Sequence, residues 1–72
     1  MDLNRQNVSS SNLRSIGYDS ESQTLEIEFK DGGIYQYYNV PESIYDALMS
    51  ASSHGSFFHH NIRGRFGDTK IR

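Results

Sequence analysis

Between Leu25 and Tyr37 the chain alternates. Leu25, Ile27 and Phe29 are apolar, Glu26 and Glu28 are charged, and the pattern resumes after Lys30-Asp31-Gly32-Gly33 through Ile34-Tyr35-Gln36-Tyr37. A period of two is the mark of a half-buried strand, because successive side chains point to opposite faces. An Asp-Gly pair between two such runs signals a β-hairpin. Residues 13–19, with Ile16 and Tyr18 on one face, read as a preceding strand, and Asp19-Ser20-Glu21-Ser22 as the turn that joins it to the strand at 24–29. The third strand covers 34–39.

After Pro41 the period lengthens. Ile44, Leu48 and Ala51 recur at helical spacing, and Tyr45 and Ala47 widen the stripe. Proline suits the first turn of a helix, where its missing N–H costs nothing, and Glu42 suits the positive end of the helix dipole. Ser52-Ser53-His54-Gly55 breaks this helix. A second short helix follows, capped by Ser52 or Ser53, with Phe58 and Ile62 on one face and Gly64 ending it in a left-handed conformation. Residues 1–8 read as a loose polar arm, 9–66 as the folded domain, and 67–72 as a basic end, with 65–72 either a short strand or frayed. Strands first and helices after define an α+β domain: a three-stranded antiparallel β-meander followed by two short helices packed on one face.

The hairpin register decides which way the tyrosines point. A two-residue loop at Asp31-Gly32 pairs Phe29 with Ile34 and puts Tyr35 and Tyr37 on the face of Glu26 and Glu28. A three-residue loop, Lys30-Asp31-Gly32 with Gly32 at positive φ, pairs Phe29 with Gly33 and sets Tyr35 beside Ile27 and Tyr37 beside Leu25. Only the second keeps apolar with apolar and leaves Gln36 with the two glutamates, so it is the expected one. It directs Tyr35 and Tyr37 under the helices, with their hydroxyls near the rim, and makes outward Tyr38 the better platform for stacking a base. Glu26 and Glu28 then read as a solvated face.

Size and charge narrow the classes. The chain has 72 residues and no cysteine, so it forms one domain without disulfides or thiolate metal sites. Five tyrosines and four phenylalanines supply apolar area, and self-association into a homo-oligomer is a second source of stability for so small a core. No basic leader precedes an apolar run, and no apolar run approaches the ~20 residues of a membrane span, so a cytoplasmic, soluble protein without a membrane partner is expected. The net charge of −2 is uneven: residues 1–53 hold eight acids against three cations, and residues 54–72 hold four cations against Asp68. A basic end on an acidic body points to an anionic partner, or to a tail folded against that body.

Ser10-Ser11, Ile16-Gly17-Tyr18-Asp19, Leu25-x-Ile27-x-Phe29, Tyr35-x-Tyr37, Val40-Pro41 and Ser53-x-Gly55-x-Phe57-Phe58-x-x-Asn61-Ile62-Arg63 occur in this order, and together they resemble the KTSC domain. That small bacterial and phage domain is named for its presence at the C terminus of some lysyl-tRNA synthetases. The resemblance runs from about Val8 to Phe66 and implies a domain of unassigned function for which RNA binding has been suggested. By it, Tyr35 and Tyr37 occupy the family's central Tyr-x-Tyr. His59-His60 departs from the family pattern.

Candidate chemistry gathers near the second helix. The N–H groups opening that helix, with Ser53, His54 and Gly55, form an anion pocket; Arg63 and Arg65 follow within reach of a phosphate, Lys70 adds charge, and Tyr38 adds stacking. The competing reading is a capping loop beside ordinary surface arginines. His54, His59 and His60 are spaced unlike a metal site, and no serine, base and acid stand in a triad order, so neither metal, cofactor nor catalysis is expected. The expected function is a non-enzymatic module binding RNA or a phosphate-bearing nucleotide. The alternative is a protein-interaction or oligomerisation module.

Overall fold

The computed structural model describes residues 4–72. Five strands form one sheet in chain order: β1 (Gln6–Asn7), β2 (Leu13–Asp19), β3 (Thr24–Phe29), β4 (Ile34–Tyr37) and β5 (Asp68–Lys70). All four pairings are antiparallel. Between β4 and β5 the chain runs through two helices, α1 (Glu42–Ser50) and α2 (His54–Asn61). The α+β class stands, but the meander has five strands, not three. Gln6 and Asn7, expected in a loose arm, pair with Ile16 and Ser15, while residues 1–3 of that arm lie outside the described residues. The basic end supplies β5 along the free side of β4.

The hairpin adopts the register that keeps like with like. Leu25 pairs with Tyr37 and Ile27 with Tyr35. The Phe29 N–H donates to the Gly33 carbonyl at 2.8 Å, and the turn passes through Gly32 at φ 98°, a left-handed value that a side chain would strain. In β2 the alternation slips between Leu13 and Ser15, a bulge at Arg14 that returns Leu13 to the inner face with Ile16.

Leu13, Ile16, Leu25, Ile27, Val40, Leu48 and Ile62 are fully buried, joined in the core by Tyr37 and Phe58. Each such side chain contributes about 1.5–3 kcal/mol from leaving water. Pro41 sits one position earlier than expected, as the N-cap of α1, with its carbonyl accepting from Ile44 and Tyr45. Tyr45 of α1 stacks on Tyr18 of β2 at 4.7 Å, and the Tyr18 hydroxyl donates to the Val40 carbonyl. Burial first, then Glu42, Asp46 and Asp19, raises the Tyr18 pKa. Ser53 caps α2 by accepting from the Ser56 N–H, and Gly64 closes the turn after the helix at φ 76°.

The outer sheet face departs from the solvated surface expected of it. Glu26 is only 5% exposed. Arg5, just before β1, lies across the sheet, pairs with Glu26 and donates from Nε to Ser15 at 3.0 Å. Gln36 donates to the other Glu26 oxygen at 2.9 Å, and Ser15 donates to Glu28 at 3.0 Å. Arg5, Arg14 and Arg72 all stand within 4.0 Å of Glu28. Carboxylates this buried persist only with such partners.

Candidate functional site

The antiparallel pairing of β5 with β4 sets Asp68 opposite Tyr37 and Lys70 opposite Tyr35. Directly opposed residues share a face, so both charges join the tyrosines on the helix side of the sheet. There a cleft of about 340 Å³ opens between the hairpin, β5 and the second half of α2, a size at the lower end of the ~300–1,000 Å³ of small-ligand sites. Phe29, Tyr35, Tyr37 and Phe58 line it as an aromatic surface, and Asn12, Asp31, His59, Arg63 and Asp68 bring polar groups.

The aromatic surface is built by mutual packing. Phe58 meets Phe29 and Tyr37 edge-on at 5.4 and 5.5 Å, Phe29 meets Tyr35 edge-on at 5.7 Å, and Tyr35 and Tyr37 stack at 6.4 Å. Tyr37 is 4% exposed, whereas Tyr35 is half-buried. Burial, then Asp68 and Tyr35, pushes the Tyr37 phenol up to about 12 against the pull of Arg63. The hydroxyl is therefore neutral at physiological pH and available as a donor. Tyr35 and Tyr37 hold the core, as their inward register requires, and line the cleft as well.

Of the six residues expected to bind a ligand, the cleft contains Arg63. Ser53 uses its hydroxyl to cap α2 and lines a separate shallow hollow on the other side of that helix with Ser56 and His60. The His54 Nδ1–H donates to the Leu48 carbonyl at 2.8 Å, tying the start of α2 to the end of α1. Gly55 lies under Asn12: a Cβ there would stand 2.3 Å from Asn12 Oδ1, so the missing side chain admits the loop before β2. Arg65 Nε donates to the His60 carbonyl at 3.1 Å. Tyr38 is on the opposite sheet face, its hydroxyl 3.4 Å from Gln36 Oε1.

Asn12, Asp31, His59 and Asp68 join the site without having been singled out for it. His59, four residues before Arg63, reads in the sequence only as a metal candidate, and Arg63 lies past the end of α2, so helical spacing does not announce the pair. Asp68 depended on where the tail goes. Among the described residues, no three His, Asp or Glu side chains converge as metal ligands, and no helix is long and apolar enough to cross a membrane.

A chain-order meander with two helices over one face, and an aromatic cleft where the tail strand meets them, defines a small α+β domain of a single recognisable class. The chain belongs to the KTSC domain family, whose model matches residues 9–66. The crystal structure of a KTSC domain protein from Yersinia pestis superimposes with a TM-score of 0.95 at 48% identity, covering 99% of this chain and all of that one. An uncharacterized protein of Stutzerimonas stutzeri is 46% identical over 56 residues, 78% of this chain and 79% of that protein. The lysine–tRNA ligase of Trichormus variabilis is 39% identical over 54 residues, 75% of this chain but 10% of the ligase.

Proposed function

We propose that this protein is a non-enzymatic binding module that holds RNA or a phosphate-bearing nucleotide in the β4–β5–α2 cleft. The observation that carries the reading is the meeting of a tyrosine pair with a guanidinium in one ligand-sized hollow. Aromatic faces stack bases of any sequence, and an arginine fork matches phosphate oxygens. Arg63 takes the phosphate, the phenols of Tyr35 and Tyr37 take the base or sugar edge, and Asp68 accepts from hydroxyl or amino groups. Ser53, His54 and Gly55 serve by fixing where α2 lies, which in turn aims His59 and Arg63; Arg65 adds charge nearby. The matching segment in lysine–tRNA ligases supports this, since such an enzyme by name handles tRNA. The reading places the protein in the cytoplasm.

The protein-interaction or oligomerisation alternative, motivated by a small core and many aromatics, needs a third-strand or helix surface for a partner to complete. The third-strand edge is occupied by β5, and Ile71, at 51%, is the large hydrophobic side chain that stands exposed among the described residues. A titration of mixed-sequence oligoribonucleotide, followed by amide NMR at two salt concentrations, tests the reading. Resonances of His59, Arg63 and Asp68 should shift, and Arg63→Ala should weaken binding and flatten the salt dependence by about one charge. Unchanged affinity in that variant would refute it.

A further inference from the structure

We infer that the recognised unit is a dinucleotide segment with two phosphates, held in two adjoining hollows that share Tyr35 as a wall. This rests on the binding role proposed for the cleft. A second hollow of about 310 Å³ lies beside the first, lined by Asp31, Gly32, Gly33, Tyr35, Lys70 and Arg72. Asp31 and Tyr35 line both. The two spaces therefore meet at the Tyr35 ring, which stands half-buried between them.

Strand pairing sets the order of charges along this trough. Lys70 stands beside Tyr35 and Asp68 beside Tyr37, two residues and about 6.5–7 Å apart on a strand. The tyrosine rings are separated by a similar 6.4 Å. Tyr37 is 4% exposed, so the ring a base can reach is the half-buried Tyr35 between the two hollows, with the two nucleosides splayed to either side of it as in single-stranded recognition.

A cation serves each hollow: Arg63 in the first, Lys70 with Arg72 in the second. Among the described residues neither Arg63 nor Lys70 enters an ion pair, and Arg72 is held only at 3.9 Å from Glu28. Both lie exposed at the surface, so neither is needed to fill the core. The acids are as informative. Asp68 lines the first hollow, and Asp31, whose Oδ1 accepts from the Gly33 N–H at 2.9 Å, stands where the two meet. A carboxylate repels a bare polyanion but accepts hydrogen bonds from sugar hydroxyls and base amino groups. The trough is thus suited to phosphates that carry nucleosides, and unsuited to bare polyphosphate.

The test compares calorimetric titrations of the four 5′-ribonucleoside monophosphates, a mixed pool of 5′-phosphorylated dinucleotides, and inorganic polyphosphate. The full chain is used with its Lys70→Ala and Arg63→Ala variants, each checked for an unchanged amide spectrum away from the substitution. The dinucleotide pool should bind about tenfold or more tighter than the monophosphates, the scale of one charge-assisted hydrogen bond. Lys70→Ala should lower dinucleotide affinity more than monophosphate affinity and so erase that advantage, Arg63→Ala should weaken both, and inorganic polyphosphate should not compete. Equal binding of mono- and dinucleotides, a neutral Lys70→Ala, or effective competition by inorganic polyphosphate would overturn the two-hollow inference and leave the cleft's nucleotide role standing. Failure of every nucleotide to bind would overturn that role, and this inference with it.

Discussion

Arg5→Ala should unfold the outer face of the sheet from a distance of many residues. The guanidinium is the cation paired with Glu26, whose side chain is 7% accessible, and it also approaches Glu28. Removing one partner of a buried pair typically costs about 3–5 kcal/mol, because the remaining charge is stranded in a medium of low polarity. Two features reduce that here. The Arg5 side chain is itself 27% accessible, and Gln36 continues to donate to Glu26. A loss of about 2–3 kcal/mol follows, equivalent to roughly 15 °C in Tm for a chain of this size. Urea melts monitored by far-UV dichroism would measure it. The control is Glu26→Gln, which removes the charge but keeps the shape. Arg5→Ala in the Glu26→Gln background should cost under about 1 kcal/mol, giving a coupling above about 1 kcal/mol in a double-mutant cycle. If Arg5→Ala melts within about 0.5 kcal/mol of the parent, the range of ordinary surface substitutions, or if the glutamine background gives no relief, then Arg5 is an ordinary surface residue and the account of the buried carboxylate is wrong.

Three further outcomes follow from the geometry. Gly55→Ala forces Asn12 aside, so it should destabilise, while Asn12→Gly combined with Gly55→Ala should recover most of the loss, with a coupling of about 0.5–1 kcal/mol by thermal melts. Ile62→Ala, which empties a fully buried position at the end of α2, should cost about 3 kcal/mol and also broaden the amide signals of His59 and Arg63. The Tyr37 phenol is raised in the fold from 10.0 to about 12. Its contribution is complete below the unfolded value and is lost as the pH climbs through the folded one. That is about 1–2 kcal/mol after allowance for water at the cleft mouth. Tyr37→Phe should flatten the alkaline limb of stability measured in urea, leaving the smaller effect of Tyr18 in the same direction.

What was legible in the chain had local causes. The register of β3 against β4 could be read because only one loop length keeps Ile27 with Tyr35 and Glu26 with Gln36, and the Gly32 turn supplies that length. The Phe58–Ile62 face could be read from its i,i+4 spacing, and the α2 cap as Ser52 or Ser53, of which the fold uses Ser53. Gln6-Asn7 could not, and Asp68-Thr69-Lys70 only as one of two options, a short strand or a frayed end. They are short and polar with no apolar alternation, and they become strands only because neighbouring strands present unpaired N–H and C=O groups to them. Glu26 was misread in consequence, since its cation arrives with β1. The cleft was hidden for a related reason: its residues come from the loop before β2, the hairpin, α2 and the tail, and β5 alone brings Asp68 and Lys70 to the tyrosines.

The strand order carries a consequence for assembly. Three of the four pairings zip between near neighbours, but joining β4 to β5 means closing a loop over residues 38–67 that contains both helices. The tail is thus the seam with the longest loop to close. Whatever molecule lodges against Tyr35 and Lys70 bridges that seam. A guest bound as proposed would act as a clasp on the C-terminal strand and should slow amide exchange at Ile71 and Arg72, whose N–H groups both reach the Ile34 carbonyl.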